Sequence, residues 1–398
     1  MQLDRLRLRD FRSYETLELQ FDPVLNIITG RNGRGKTNIL EAIYMASCAR
    51  SHRTAYDREL IRHGTSAYEM ELFYSDPANN PRHPEYQESL RLVYGERGSL
   101  EGQGRSIWHN GLKLERIGEL MGLFQAVIFA PEDIMLIKGS PQGRRRFLDM
   151  LLSRLSPLYF SNLQQFSRVL SQRNRLLKQL RDQGCQDSEE LYIWDEIYAG
   201  LAAQISLERR ELLRELEVQA AAVHQEVSGG RERLSVHYLE HRIWRDADTV
   251  EERKGLIVER LKMAHAEEIR RGSCLYGPQK DDVQVLLDDK EVKVYGSQGQ
   301  QRTAVLALKE AELAAVQARS HTAPILLLDD ILPELDMGRR RHILEHISGI
   351  QVFITCTDAE NMQKLLPESS RAHYKCFYVG EGAQVKEERF RADQDQGV

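Results

Sequence analysis

The spacing of hydrophobic and polar positions changes repeatedly along the chain, and each change predicts a different element. Near the start, Leu6 and Leu8 alternate with Arg5, Arg7 and Arg9, and Leu17, Leu19 and Phe21 alternate with Glu18 and Gln20. This period of two, interrupted by Arg12-Ser13-Tyr14, predicts a β-hairpin with one buried face. A short buried strand over 24–29 runs into a glycine-rich turn, and residues 38–45 are good helix formers. Residues 68–130 read as strand-rich: Tyr68, Met70, Leu72 and Tyr74 alternate, Asn110-Gly111 has hairpin-turn chemistry, and 126–129 reads as a central strand. The stretch 76–81, rich in Pro and Asn, reads as a surface insertion.

The middle of the chain takes up the helical period. Ser140-Pro141 caps a helix expected to reach about residue 155. Leu163, Phe166, Leu170, Leu177 and Leu180 keep a heptad spacing with Arg173 in the one polar slot, and Gly184 ends that run. Trp194, Ile197, Leu201, Ile205, Leu212, Leu216 and Val223 mark a second amphipathic helix. Each is expected to span about 30 residues, or about 45 Å, too short for a long coiled-coil arm. A strand near 234–238 and helices near 250–271 and 300–319 follow. Then come an apolar strand over 325–328, a basic helix holding Arg339–Arg341, and a strand over 351–355. The expected organisation is an α/β domain interrupted by a helical insertion: an N-terminal lobe at 1–142, the insertion at 143–272, and a C-terminal lobe at 273–398.

Composition narrows the class. The 398 residues are 41% hydrophobic and 29% charged, which excludes disorder and fibrous repeats. No apolar run approaches the ~18 residues a membrane span needs. The alternating start is unlike a signal peptide, and five scattered cysteines fit free thiols in a cytoplasmic protein. Twelve histidines without ligand spacing argue against a metal other than Mg²⁺. With a net charge of −5 there is no global attraction to nucleic acid, so DNA binding requires a local basic patch.

Gly30-Arg31-Asn32-Gly33-Arg34-Gly35-Lys36-Thr37 fits G-x-x-x-x-G-K-[ST] between a predicted strand and a predicted helix. Glycines let backbone N–H groups curl round a β-phosphate against a helix N-terminus. The lysine reaches the β/γ oxygens, and the threonine hydroxyl suits Mg²⁺. The apolar strand ends in Asp329-Asp330. A carboxylate there can hold Mg²⁺ through water, and its neighbour can orient or activate the attacking water. Lys36, Asp329 and Asp330 are thus the expected catalytic residues.

Nearly three hundred residues separate Lys36 from Asp329, an arrangement that resembles the split sheet of SMC-like ABC-type ATPases. Ser297-Gln298-Gly299-Gln300, opening the helix before the Asp-bearing strand, resembles that family's signature motif, and Glu334-Leu335-Asp336 resembles its D-loop. The match is closer to the RecF family. It is carried by Asn32 to Asn38, by Cys48-Ala49-Arg50-Ser51-His52-Arg53-Thr54, and by Pro131-Glu132-Asp133 with Lys138-Gly139-Ser140-Pro141. Gly277-Pro278-Gln279-Lys280-Asp281-Asp282 and Gln298-Gly299-Gln300-Gln301-Arg302 extend it. The resemblance implies a P-loop ABC/SMC-type ATPase head with an inserted helical domain. It implies ATP and Mg²⁺ as cofactors, with Gly30 to Asn38 on the nucleotide and Thr37 and Asp329 on the metal. It also implies a homodimer formed on ATP, with Ser297, Gly299 and Gln300 contributed in trans and Asp336 in the D-loop. The implied partners are single- or double-stranded gapped DNA, RecR and RecO, in assisting RecA loading.

Two departures stand out. Where ABC ATPases carry a glutamine beside Mg²⁺, this chain has Ala130-Pro131-Glu132-Asp133, in which either acid could substitute or simply cap a helix. Where they carry a switch histidine, it has Thr355-Cys356-Thr357-Asp358, which implies slow hydrolysis suited to a switch. Arg50 and Arg53 read as nucleotide-site residues or surface charge alike. Arg144–Arg146 and Arg339–Arg341 read as solvated helix faces, with phosphate contact as the alternative. Competing functions are an overcoming-lysogeny-type nuclease, a transporter motor subunit and a small-molecule kinase. About 68 residues follow Asp330 without a nuclease-like carboxylate cluster. A transporter motor would not need the helical insertion and would be expected to carry the missing glutamine and histidine, and a small-molecule kinase needs an acceptor pocket and no signature motif.

Overall fold

The structure is a computed structural model; it describes all residues except 78–82, 84–85, 101, 186, 321, 333–334, 347–348, 358–373 and 389–398. Most of the expected insertion at 76–81, and Glu334 and Asp358, therefore lie outside the described residues. In chain order the first elements are β1 (Gln2–Phe11), β2 (Tyr14–Gln20), β3 (Leu25–Thr29), α1 (Lys36–Cys48), β4 (Ala67–Ser75), β5 (Gln87–Gly95), β6 (Gly104–His109), β7 (Leu112–Lys113) and β8 (Ala126–Phe129). Next come α2 (Met135–Lys138), α3 (Pro141–Leu155), α4 (Pro157–Asp182), α5 (Glu189–Ser228), β9 (Leu234–Leu239), α6 (Val250–Arg271), β10 (Asp282–Leu287), β11 (Lys290–Glu291) and α7 (Val292–Tyr295). The last are α8 (Gln298–Ser320), β12 (Ile325–Leu328), α9 (Met337–His346), β13 (Val352–Cys356), β14 (Lys375–Val379) and β15 (Val385–Glu388). The chain forms two compact units, Met1–Asp133 with Leu313–Val398, and Ile134–Glu312.

The first unit holds two six-stranded sheets. One, ordered β2-β1-β4-β5-β6-β7, is antiparallel throughout. Its inner face buries Leu6, Leu8, Met70, Leu72, Leu90 and Leu92 in the main core. Its outer face pairs Arg7 with Glu18 at 3.2 Å and Arg9 with Glu69 at 2.8 Å, so the predicted alternation is that of a one-sided sheet. Asn110 and Gly111 take positive φ of 51° and 79° between β6 and β7, the hairpin their chemistry calls for. The second sheet, β15-β14-β3-β13-β12-β8, is parallel apart from the edge strand β15. Strands β3, β13, β12 and β8 are buried along their whole length, as sheets covered on both faces require. β13 lies between β3 and β12, with Thr355 in register with Ile28 and Ile354 with Leu328. The chain therefore leaves β3 at Gly30 and β12 at Asp329 on the same edge of the sheet, at the carboxyl ends of its strands, where ligands bind in open α/β sheets.

The second unit packs α3, α4, α5 and α6 with the three-stranded sheet β11-β10-β9. It is broader than residues 143–272, because α3 is tied to β10: the buried Arg144 grips Asp282 through both nitrogens at 2.7 and 2.8 Å. That arginine is neither solvated nor free for phosphate. Arg145 likewise bonds the Asp281 carbonyl. Helix lengths also depart from the expected pair of about 30: α4 has 26 residues and α5 has 40. The heptad's polar slot, Arg173, is fully buried and meets both Asp195 and Glu268 at 2.7 Å. A buried cation persists only where acids surround it.

The 277–282 loop is a clamp inside this unit. Arg209 donates to the Pro278 carbonyl, Tyr198 to that of Tyr276, and the Tyr238 hydroxyl to Asp281 at 2.7 Å. Burial pushes the Asp281 carboxyl up to about 7, against the pull of the Tyr238 hydrogen bond and Arg209. A carboxyl raised on folding holds its proton longer in the native state. Its stabilising contribution is complete below the unfolded value near 4 and is lost as pH climbs through about 7. Replacing Asp281 by Asn keeps an acceptor for Tyr238 and removes the titration. Thermal melts between pH 4 and 8 should show a shallower loss of stability for Asp281→Asn, the difference reaching at most about 4 kcal/mol. Parallel curves for the two proteins would exclude a protonated Asp281.

Candidate functional site

β3 delivers the chain to Gly30, whose φ of 140° favours glycine; an added Cβ would lie 2.5 Å from the Val379 carbonyl oxygen. Gly35, at φ 114°, precedes the first turn of α1, and a Cβ there would meet Ser13 Oγ at 2.7 Å. Being glycine, it gives α1 no side-chain cap, so the helix opens with N–H groups that have no intrahelical partner. That is an anion site in waiting. Lys36, 3% exposed, folds back over the loop and donates to Gly30 O at 2.9 Å and Asn32 Oδ1 at 3.4 Å. Its ammonium is thereby held at the mouth of the turn, 3.8 Å from Asp330 Oδ2.

The two aspartates differ. Asp329 is buried, and its Oδ1 accepts from Thr37 Oγ1 at 2.9 Å and from Thr355 Oγ1 at 2.8 Å. Burial pushes its carboxyl up, the two hydroxyls pull it down, and the charges of Asp330 and Glu132 push it up again. Asp330 sits at a positive φ of 45°, held by its own N–H to Thr355 Oγ1 at 2.8 Å. Its Oδ1 is buried without a hydrogen-bond partner. Thr355 thus positions both aspartates at once. Sequence reasoning noted this residue only for the histidine absent nearby; its signal, a hydroxyl at the end of a strand between the two motif strands, needs the strand order to be read.

This surplus of negative charge around Thr37 suits a hard cation. Among the described residues no group of three or more His, Cys, Asp or Glu is arranged to hold a metal alone. A cation here would draw remaining oxygens from phosphate and water, which is the habit of Mg²⁺. Of the two acids after β8, Asp133 is engaged in capping, accepting from Ala130 N–H at 2.8 Å, whereas Glu132 is exposed and acts electrostatically on Asp329.

A second layer fixes α1. The fully buried Glu41 takes Arg12 through two nitrogens at 2.9 and 2.7 Å, the Ser51 hydroxyl, and Arg53 at 3.7 Å. Arg53 also reaches Asn38 Oδ1 at 3.3 Å, beside the phosphate turn, while Arg50 is exposed. Asn38 donates to Ser13 and the Tyr14 hydroxyl to the Gly35 carbonyl, each at 3.0 Å. The 12–14 turn between β1 and β2 therefore braces the loop from outside. Arg34 turns away to Glu381 at 2.8 Å, and Arg31 is exposed.

In the second unit, Ser297 and Gln300 form a reciprocal cap at the start of α8. Gln300 N–H donates to Ser297 Oγ at 3.3 Å, and Ser297 N–H to Gln300 Oε1 at 2.7 Å. Because the serine oxygen accepts, its own proton stays available to a ligand. The Gly299 carbonyl takes the Thr303 hydroxyl at 2.9 Å. Asp336, in the first unit, caps α9 by accepting from Arg339 N–H at 3.0 Å, and Arg340 bonds the Leu335 carbonyl at 2.8 Å. Two arginines of that basic run thus have partners within their own turn.

The family model described as the RecF/RecN/SMC N-terminal domain matches residues 2–378. The DNA replication and repair protein RecF of Ligilactobacillus salivarius is 36% identical over 396 residues, covering 99% of this chain and all of that one. That of Halalkalibacterium halodurans is 38% identical, covering 91% and 94%. The chain belongs to the RecF family. A solved structure of the recombination mediator RecF with ATP, from the RecFOR pathway, superposes with a TM-score of 0.87 at 30% identity, covering 98% of both chains. The Smc head domain of Pyrococcus furiosus, at TM-score 0.53 and 15% identity, shares the fold. The shared fold thus includes the parallel sheet that brings the glycine-rich turn after β3 and Asp329 after β12 to one edge. Among the described residues, no helix is long and apolar enough to cross a membrane.

Proposed function

We propose that this chain is an ATP-switched DNA-binding protein of recombinational repair and replication-gap processing in the cytoplasm. The observation that carries the reading is the Thr37–Asp329 hydrogen bond, 2.9 Å across 292 residues of sequence, beside an uncapped helix N-terminus. It unites the phosphate turn with the acidic strand end that nucleotide hydrolysis uses. Gly30 to Asn38 would hold the nucleotide phosphates, with Lys36 on the β/γ oxygens. Thr37 and Asp329 would hold Mg²⁺, which supplies charge neutralisation when bound. Asp330, whose buried Oδ1 has no hydrogen-bond partner, would orient or activate water. The sequence Thr355-Cys356-Thr357-Asp358 offers no switch histidine, so hydrolysis should be slow and act as a timer.

A single P-loop and a single signature occur in the sequence. In this reading Ser297, Gly299 and Gln300 of a second copy complete each site, with Asp336 in the adjoining D-loop, so that ATP drives formation of a two-fold homodimer. The similarity to RecF of the RecFOR pathway supports action with RecO and RecR in loading RecA at gapped DNA. Fluorescence anisotropy with a labelled gapped duplex, with and without ATP and with light scattering in parallel, tests this directly. ATP is expected to convert monomer to dimer and to raise DNA affinity together. Equal DNA binding with and without nucleotide, or a monomer at saturating ATP, would overturn the switch.

A further inference from the structure

With a net charge of −5, any DNA contact has to be concentrated somewhere. The basic runs most visible in the sequence are largely accounted for by partners of their own: Arg144 by Asp282, Arg145 by a carbonyl, Arg339 by Asp336, Arg340 by a carbonyl. The helix α4 is different. From Pro157 to Arg181 it contains no acidic residue, whereas α5, against which it packs, carries nine. Its buried side is apolar around Phe166, Leu177 and Leu180.

The opposite side presents Gln164, Arg168, Ser171, Gln172, Arg175 and Lys178, all exposed. At 100° per residue these six lie within one stripe of about 120°, and from Gln164 to Lys178 the stripe runs about 21 Å. The side chains of Arg168, Arg175 and Lys178 have no acidic partner within 4 Å among the described residues. At its far end the stripe meets the end of α6: a Cβ on Gly272 would sit 2.9 Å from Lys178 Cγ and 3.0 Å from Arg181 Nη1. The exposed Arg270 lies two residues before that glycine.

We infer that the outer stripe of α4 docks on the phosphate backbone of duplex DNA. Arginine, lysine, glutamine and serine are the side chains that donate to phosphate oxygens and fix register without reading sequence. Single-strand binding commonly uses aromatic platforms, and the stripe has none. An amphipathic membrane contact needs large apolar side chains beside the cations, and these too are absent from it. The inference rests on the DNA-binding role proposed above and gives that role its surface.

The test compares the full-length protein with Arg168→Glu/Arg175→Glu/Lys178→Glu, in saturating ATP, on a labelled duplex across a salt series. A control carries Arg233→Glu/Arg245→Glu/Lys290→Glu, the same charge change on exposed positions elsewhere in the unit. The α4 variant is expected to lose about tenfold or more in affinity, and its slope of log K against log salt should fall by about 2 to 3. ATP hydrolysis without DNA should be unchanged, and Arg168→Lys/Arg175→Lys should retain binding. An α4 variant matching the control in affinity and slope, while the parent still binds DNA only with ATP, overturns the surface and leaves the switch standing. A parent that binds no DNA overturns both. Loss of binding to phosphatidylserine vesicles with no change on DNA would assign the stripe to a lipid surface and overturn the inference as well.

Discussion

Lys36→Ala is expected to weaken ATP binding by roughly 100-fold and to abolish ATP-dependent DNA binding. The lysine is nearly inaccessible, and its ammonium already rests on the Gly30 carbonyl and Asn32 side chain at the mouth of the turn. Phosphate would gain a charge already in place, with little side-chain ordering left to accomplish. Hydrogen bonds to a charged group contribute about 1.5–3 kcal/mol each. Losing one or two of them corresponds to about one hundredfold in affinity at 1.4 kcal/mol per decade. The fold should survive, because the carbonyls released lie in an open loop rather than in the sheet. Calorimetric titration with ATP, alongside a thermal melt to establish folding, reads the effect. An ATP affinity within a few-fold of the parent, with DNA binding still nucleotide-dependent, would remove Lys36 from the site.

Asp330→Asn should separate binding from turnover. Asparagine tolerates the positive φ that Asp330 adopts and keeps the N–H bond to Thr355, so the backbone should hold. What disappears is the carboxylate's basicity at Oδ1, the buried oxygen without a partner. General-base assistance contributes about 10²–10⁴-fold, and turnover should fall within that range. ATP affinity should move by only a few-fold: Lys36 loses its 3.8 Å charge contact with Asp330 but keeps its bonds to the Gly30 carbonyl and Asn32. The ATP dimer should then persist on DNA, measured as a slower dissociation after dilution. Normal turnover with normal dissociation would show that Asp330 has no part in attack by water.

The glycine-rich turn after β3 was legible because it is contiguous. Gly30, Gly35 and Lys36 act through local backbone geometry, and a strand before them with a helix after them suffices to place the motif. The same holds for the Asn110-Gly111 hairpin, whose turn chemistry lies in two adjacent residues. Periodicity also found the long helices, but it misjudged their lengths, because propensity alone does not stop a helix: α5 continues to Gly229 at φ 66°.

Burial and partnership were not legible. Arg144 looked like part of a charged surface run, and only the approach of β10 makes it a buried clamp on Asp282. Arg173 looked like a tolerated polar slot in an apolar seam, and Asp195 and Glu268 arrive from 22 and 95 residues away to neutralise it. Thr355 gained its place between the two aspartates from strand order, with β13 between β3 and β12. The free stripe on α4 emerged from the same sorting, since it is defined by which cations lack partners. The sequence by itself determined the local backbone chemistry of the glycine-rich turn, the family, and the alternation of elements. The tertiary structure decided which charges are neutralised and which are left to act, because ion pairing depends on distance in space, and in this chain paired charges such as Arg34 and Glu381 stand 347 residues apart in sequence.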